Sequence, residues 1–364
     1  MPFRAIPRYK GEDSRLEKTL KIGLIGTGRI ANNAHMAGYH NMQNVEIVAC
    51  CDIDEPKARD FAQRHGIPKV YTDYRDVLAL PGLDAVDICT PNYLHAPMAV
   101  DALQKGLNVF CEKPDAVSVS EAERMARAAR ESGKVLMVMR NNRYLPAAQY
   151  LKKYIDDGRM GGVYAARCGW QRRRGIPGRG GWFTTKALSG GGPLIDLGVH
   201  MIDLTMWLMG SPTPVTVSGC AYDKIASKSM RETAAAGTFD VEDLAMGFIR
   251  FDTGACLQLE FSWASNIERD QRFFELRGEQ SGACWSSIDD KLKVFTQEYG
   301  HAVDLYPNVP INKNEGIHES NLRHFADVLL NGAQPMFVPQ QGVDMVKILE
   351  ALYQSAREGH EIQL

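Results

Sequence analysis

The apolar run Lys21-Ile22-Gly23-Leu24-Ile25 leads straight into Gly26-Thr27-Gly28-Arg29-Ile30-Ala31. A strand that meets a glycine turn of this spacing commits the chain to a βαβ unit. The first glycine takes the tight turn, the second admits a pyrophosphate close to backbone, and the small third residue packs helix on strand. The next apolar run, Val45 to Cys51, ends at Asp52, 21 residues after Ala31. A carboxylate at that point accepts hydrogen bonds from the ribose hydroxyls of an adenosine. Strand, turn, helix, strand and acid in this order predict a dinucleotide site at Gly26, Thr27, Gly28, Arg29, Ile30, Asp52 and Ile53. The cofactor expected is NAD in preference to NADP, since Asp52 repels a 2′-phosphate and Ile53 offers no cation. The alternative is a tight turn in an α/β fold with no ligand.

The rhythm that follows is that of a doubly wound parallel sheet. Asp54 is placed to cap a helix that buries Ala58, Phe61 and Ala62, and Gly66 to end it. Val86–Thr90, Leu107–Cys111 and Val135–Met139 read as further core strands. After Pro146 the pattern changes to longer loops and alternating strands. The clearest is a hairpin of Phe248–Phe251 and Cys256–Phe261 about the turn Asp252-Thr253-Gly254-Ala255. Two helices, around Leu322–Asn331 and Gly342–Arg357, close the chain. The expected organisation is an N-terminal extension over 1–20, an α/β Rossmann domain over 21–145, and an α+β domain over 146–364. That last domain is built on an open, mostly antiparallel sheet.

A helix-like stretch behind Gly190-Gly191-Gly192 carries the densest chemistry. Ile195, Val199, Ile202 and Met206 recur at helical spacing and belong in a core. Asp196, His200 and Asp203 stand at i, i+4 and i+7, which predicts that they stack on one side of the helix. Carboxylates and an imidazole are costly to bury in such company unless paired or used. The three glycines are expected to let a ligand approach the backbone. Asp203 has two readings, a site residue or an anchor. No metal is expected, because no Cys/His set accompanies these three side chains.

Composition excludes other classes. With 42 Lys and Arg against 44 Asp and Glu, the net charge is −2 and there is no long basic run, which argues against a nucleic-acid partner. Eight cysteines without a C-x-x-C pair read as reduced core residues of a cytoplasmic protein. No stretch approaches a membrane span.

Taken together, the glycine turn, Thr90-Pro91-Asn92-Tyr93-Leu94-His95, Glu112-Lys113-Pro114, Asn142-Arg143-Tyr144-Leu145-Pro146, Asp196-Leu197-Gly198-Val199-His200 and Asn331-Gly332-Ala333-Gln334-Pro335 resemble the glucose–fructose oxidoreductase/inositol dehydrogenase family. The likeness runs over nearly the whole chain from Lys21. It implies oxidation of a sugar, glycoside or cyclitol hydroxyl with tightly held nicotinamide cofactor, and a homodimer or homotetramer formed through the C-terminal sheet. It also implies that Lys113 and His200 face nicotinamide and substrate carbinol, with Thr90, Pro91, Asn92, His95 and Glu112 at the cofactor. A neutral imidazole takes the hydroxyl proton and an ammonium stabilises alkoxide character. Lys113 is the alternative proton acceptor. Asp196 either orients His200 or binds a neighbouring hydroxyl. His95 has a second reading as a helix-start residue, and His318 and Asn321 either close the pocket or cap a helix. Asp115, unusual in the family at that position, is expected either beside Lys113 or in solvent. Arg143, Trp170, Arg172 and Trp182 are the expected substrate contacts, with indoles stacking on sugar C–H faces and guanidinium groups donating to hydroxyls. Oxidation at C3 of a glucoside is the leading reading. Cyclitol oxidation, or glycoside cleavage through transient oxidation, are the rivals.

Overall fold

A computed structural model describes residues 19–226, 237–309 and 316–364. The extension expected over 1–20 lies, up to residue 18, outside the described residues. The first sheet holds β1 (Leu20–Ile25), β2 (Val45–Cys51), β3 (Val70–Tyr71), β4 (Ala85–Ile88), β5 (Asn108–Cys111) and β6 (Leu136–Val138). They lie parallel in the order β3-β2-β1-β4-β5-β6. Continuous apolar runs suit strands covered on both faces, and Ile22, Leu24, Val86 and Val109 are fully buried. The order reverses between β1 and β4, which opens a crevice at the carboxyl ends of the strands. As expected, Asp54 caps the helix Glu55–His65 by accepting from Lys57 N, and Gly66 ends it at φ +68°.

The second sheet holds β7 (Val163–Gln171), β8 (Pro214–Tyr222), β9 (Leu244–Phe251), β10 (Cys256–Ser262), β11 (Gln271–Gly278), β12 (Gly282–Ser286), β13 (Lys291–Glu298), β14 (His301–Leu305) and β15 (Ile362–Gln363). Their order is β14-β13-β12-β11-β7-β10-β9-β8-β15. Only the β7–β10 pair among the described strands of this sheet is parallel. The helix Val199–Leu208 lies on its inner face, in one cluster with Leu257, Leu259, Phe261 and Phe274. Each such fully buried side chain contributes about 1.5–3 kcal/mol.

The closing helices tie the two sheets together. Leu322, Phe325 and Ala326 of Ile317–Asn331 join the cluster of Leu20, Ile22 and Leu24 on the first sheet. Pro339–Glu358 turns Val343 and Val346 to that domain and Ile348, Leu349 and Leu352 to the second. No helix among the described residues is long and apolar enough to cross a membrane.

Candidate active site

The turns after β1, β4 and β5 converge at the crevice. Gly26 has φ +95°, and a Cβ there would stand 2.7 Å from the Cys89 carbonyl, so only glycine fits. Thr27 N and Oγ1 each donate to Asp52 Oδ2 at 2.9 Å. Lys57 Nζ reaches the same oxygen at 2.8 Å, a cation brought in from the following helix rather than from position 53. Burial opposes charge on Asp52, but the bonds from Lys57, Thr27 and Asp54 hold its pKa below the ordinary value. A Cβ on Gly28 would meet nothing within 4 Å, and Ile53 is 94% exposed beside Asp52. Open backbone at the turn, an ionised carboxylate and an unpartnered apolar side chain suit phosphate, ribose and adenine in that order. Arg29 is exposed at the same turn and Ile30 is half-exposed.

The turn after β4 is held by protein contacts. Asn92 is buried and donates to Ser189 O at 2.7 Å. His95, expected at the cofactor, is fully buried with Nδ1 at 2.7 Å from Pro114 O and Nε2 at 2.9 Å from Thr90 O. Both ring nitrogens are thus taken. His95 ties the Thr90-Pro91 turn to the Lys113-Pro114 turn rather than holding a ligand. The Lys113–Pro114 peptide is cis.

Below Lys113 lies a buried charge chain. His35 Nδ1 is 2.6 Å from Asp87 Oδ2 and its Nε2 is 2.8 Å from Glu112 Oε1. Tyr39 donates to Asp87, and Glu112 Oε2 accepts from Lys113 N at 3.1 Å. Burial alone would lower the His35 pKa, but Asp87 holds it well above the ordinary value. Burial likewise opposes charge on Glu112, yet the His35 bond and charge bring its pKa down to about 2. Imidazolium between two carboxylates is the state these shifts describe. His35 ends a π-helical turn, Ala31–His35, that the glycine turn opens.

Lys113 Nζ donates to Asp196 Oδ1 at 2.8 Å and to Asp196 O at 3.0 Å, and Trp263 Nε1 donates to Asp196 Oδ2 at 3.0 Å. Asp196 therefore pairs with Lys113 and an indole, and orients neither His200 nor its tautomer. The reason is local. Leu194–Gly198 is a π-helical turn, whose wider winding breaks the i, i+4 stack expected from α-helical spacing. His200, two residues into the following α-helix, packs its ring 6.0 Å from that of Trp170. Burial first, then Lys113, His318, Arg140 and Arg272, push its pKa well below the ordinary value, so it is neutral at neutral pH.

Asp203 takes the anchoring role. Its oxygens accept from Arg140 Nε at 2.9 Å and from Arg143 Nη2 at 2.7 Å and Nε at 2.8 Å. Arg143, expected to touch substrate, is buried and spends its remaining donors on Met336 O and Gln341. Asp115 is buried against Arg140 Nη2 at 2.5 Å, neither beside Lys113 nor in solvent. The glycines serve packing too: a Cβ on Gly191 or Gly192 would strike the Tyr353 hydroxyl or the Glu242 carbonyl. Trp170 stands beside His200, with the Arg172 guanidinium 5.1 Å from its ring, whereas Trp182 stacks on Phe183. His318 bonds to Asn141 Nδ2 at 2.9 Å, and Asn321 accepts from Arg140 N at 2.7 Å.

The family model described as an oxidoreductase family with an NAD-binding Rossmann fold matches residues 20–140, and the GFO/IDH/MocA C-terminal domain model matches residues 148–283. D-glucoside 3-dehydrogenase of Escherichia coli (strain K12) is 32% identical over 350 residues, 95% of this chain and 97% of that protein. The chain belongs to the GFO/IDH/MocA oxidoreductase family. This family member is an NAD-dependent dehydrogenase. Two solved structures agree in fold. GenD2 from gentamicin A biosynthesis, in complex with NAD, is 28% identical with a TM-score of 0.76 and 99% coverage of both chains. Levoglucosan dehydrogenase in complex with NADH has a TM-score of 0.84 at 24% identity, covering 95% of this GFO/IDH/MocA chain and 99% of its own.

Proposed function

We propose that the protein oxidises a secondary hydroxyl of a pyranose or pyranoside, the C3 hydroxyl of a glucoside, to a ketone. The observation that carries this reading is the Lys113–Asp196 pair beside a neutral His200 at the carboxyl edge of the first sheet. Gly26, Thr27, Gly28, Arg29 and Ile30 would hold the pyrophosphate, Asp52 and Ile53 the adenosine, and Thr90, Pro91 and Lys113 would border the nicotinamide, with Glu112 supporting Lys113 from below. Bound NAD supplies the hydride acceptor. His200 takes the carbinol's hydroxyl proton as the C–H hydrogen leaves as hydride, and the Lys113 ammonium stabilises negative charge developing on the hydroxyl oxygen. Asp196 fixes the Lys113 ammonium and offers a charge-assisted bond to a neighbouring hydroxyl. Trp170 gives the sugar an aromatic face. The D-glucoside 3-dehydrogenase relative supports the choice of a glucoside.

The test is a panel of sugars, glycosides and cyclitols read at the reduced-nicotinamide absorbance band. Glucosides should give net NADH and a 3-keto product. Turnover of cyclitols alone overturns the sugar reading, and aglycone release without net NADH identifies glycoside cleavage instead.

The protein forms a homo-oligomer through the outer face of the second sheet, where Met246 and Phe295 are each 40% exposed. Light scattering coupled to gel filtration reads this directly, and a monomer at micromolar concentration overturns it. Eight unpaired cysteines support a cytoplasmic location.

A further inference from the structure

Along β7 and β11 the inner face of the second sheet is apolar, with Ala166, Cys168, Phe274 and Leu276 buried. The same alternation brings Trp170 and Arg272 onto that face, directly opposite one another in register. Arg272 is a cation at an inward strand position, where burial costs free energy unless a counter-charge compensates. Its guanidinium carbon lies 5.0 Å from the Trp170 ring and 5.0 Å from the Trp285 ring. Among the described residues its one side-chain hydrogen bond runs from Nη1 to Asn142 Oδ1 at 3.2 Å. No carboxylate is ion-paired with it among the described residues. The neighbouring Asp290 partly offsets the burial of Arg272 but makes no ion pair with it, and accepts from Trp285 Nε1 at 3.0 Å.

Arg172, two residues beyond Trp170 and just past the end of β7, approaches the same indole. Its guanidinium carbon is 5.1 Å from the Trp170 ring, and its Nη1 donates to the neutral Gly175 O at 3.1 Å. Two guanidinium groups thus share Trp170, whose ring stands 6.0 Å from that of His200. Nearby, Asp196 is already balanced by Lys113. Like charges gathered around one aromatic ring, each making one side-chain hydrogen bond to a neutral acceptor among the described residues, suit an anionic ligand group. Guanidinium is the side chain best matched to carboxylate and phosphate oxygens.

We infer that Arg272 and Arg172 bind an anionic substituent, a carboxylate or a phosphate, carried by the sugar whose carbinol faces His200. The inference rests on the dehydrogenase reading of the same site and adds the charge of the substrate to it. Trp170 stacks under the ring while the two guanidinium groups hold the anion at its rim. No change in the redox step is implied.

The experiment compares methyl glucoside, methyl glucuronide and glucose 6-phosphate as substrates of the full-length protein with NAD. Wild-type kcat/KM should favour one anionic sugar at least about tenfold, the scale of one charge-assisted contact. Glucuronide against phosphate separates the two anion sources. Arg272→Gln should reduce that preference about tenfold or more, Arg272→Lys should restore part of it, and raising salt should erode it. Preference for the neutral glucoside, or an unchanged anionic-to-neutral ratio in Arg272→Gln, overturns the inference and leaves the dehydrogenase reading standing. Calorimetric titration with glucuronate and with inorganic phosphate reads the receptor without turnover. Absence of binding by both would overturn the inference even if every sugar were inert, whereas saturable binding lost in Arg272→Gln supports it.

Discussion

His35 and Glu112, 77 residues apart, meet at 2.8 Å in the interior, and the carboxylate passes the contact on to the backbone N–H of Lys113. The reactive turn therefore stands on a buried ion pair. Replacing one member strands the others. His35→Asn should cost about 3–5 kcal/mol in denaturant unfolding, the range for a broken buried pair. A loss under 1 kcal/mol would show that the chain is not charged as described.

The same chain sets a pH signature. His35 has a folded pKa above its unfolded value near 6.5, so its contribution is full below pH 6.5 and is lost as pH rises through the folded value. Glu112, depressed to about 2, contributes above its ordinary value near 4.5 and loses that contribution as pH falls from there towards 2. Unfolding free energy of the wild type should therefore decline on both flanks. In His35→Asn the alkaline decline should flatten; an unchanged alkaline flank counts against the imidazolium.

Lys113→Ala should lower turnover by roughly two to four orders of magnitude, since a positioned charge-stabilising group is removed. NAD affinity, read by quenching of tryptophan fluorescence, should change far less. Near-normal turnover would return Lys113 to an accessory role.

For oxidation catalysed by neutral His200, the rate rises with pH through the imidazole pKa. Burial and four neighbouring cations or imidazoles depress that pKa well below 6.5, so the rising limb of kcat should lie on the acid side of pH 6.5 and the rate should be level above it. His200→Gln should slow the hydride step and abolish the limb. A limb that survives in His200→Gln and vanishes in Lys113→Met reverses the two roles.

Asp52→Ala should weaken NAD binding and narrow the NAD/NADP gap, because the carboxylate disfavours a 2′-phosphate. Lys57 moderates the wild-type gap from 2.8 Å away, so Lys57→Ala should widen it. Tighter NADP than NAD binding by the wild type would contradict this account of β2.

The nucleotide half of the cleft was legible because its demands are local. A glycine with φ +95°, a strand end and an acid follow one another within one βαβ unit. The substrate half was less so. Helical counting from Asp196 to His200 assumes 3.6 residues per turn, and a π-helical turn at Leu194–Gly198 redirects the carboxylate to Lys113, which lies 83 residues earlier. His35, Trp263 and Arg143 take their roles from partners far away in sequence, and no spacing rule reports such pairings. Arg272 did leave a trace: the alternation of Gln271 to Leu276 puts it on the face of Phe274 and Leu276.

The helix Ile317–Asn331 completes the core under β1, with Phe325 fully buried and its ring 5.3 Å from that of Phe110. The nucleotide-binding half therefore shares its core with a helix from the far end of the described chain. A ribosome that has released only the first 145 residues has made every strand of that sheet but not the helix that seals it. Closing that core therefore waits on residues that leave the ribosome long after the last strand of the sheet.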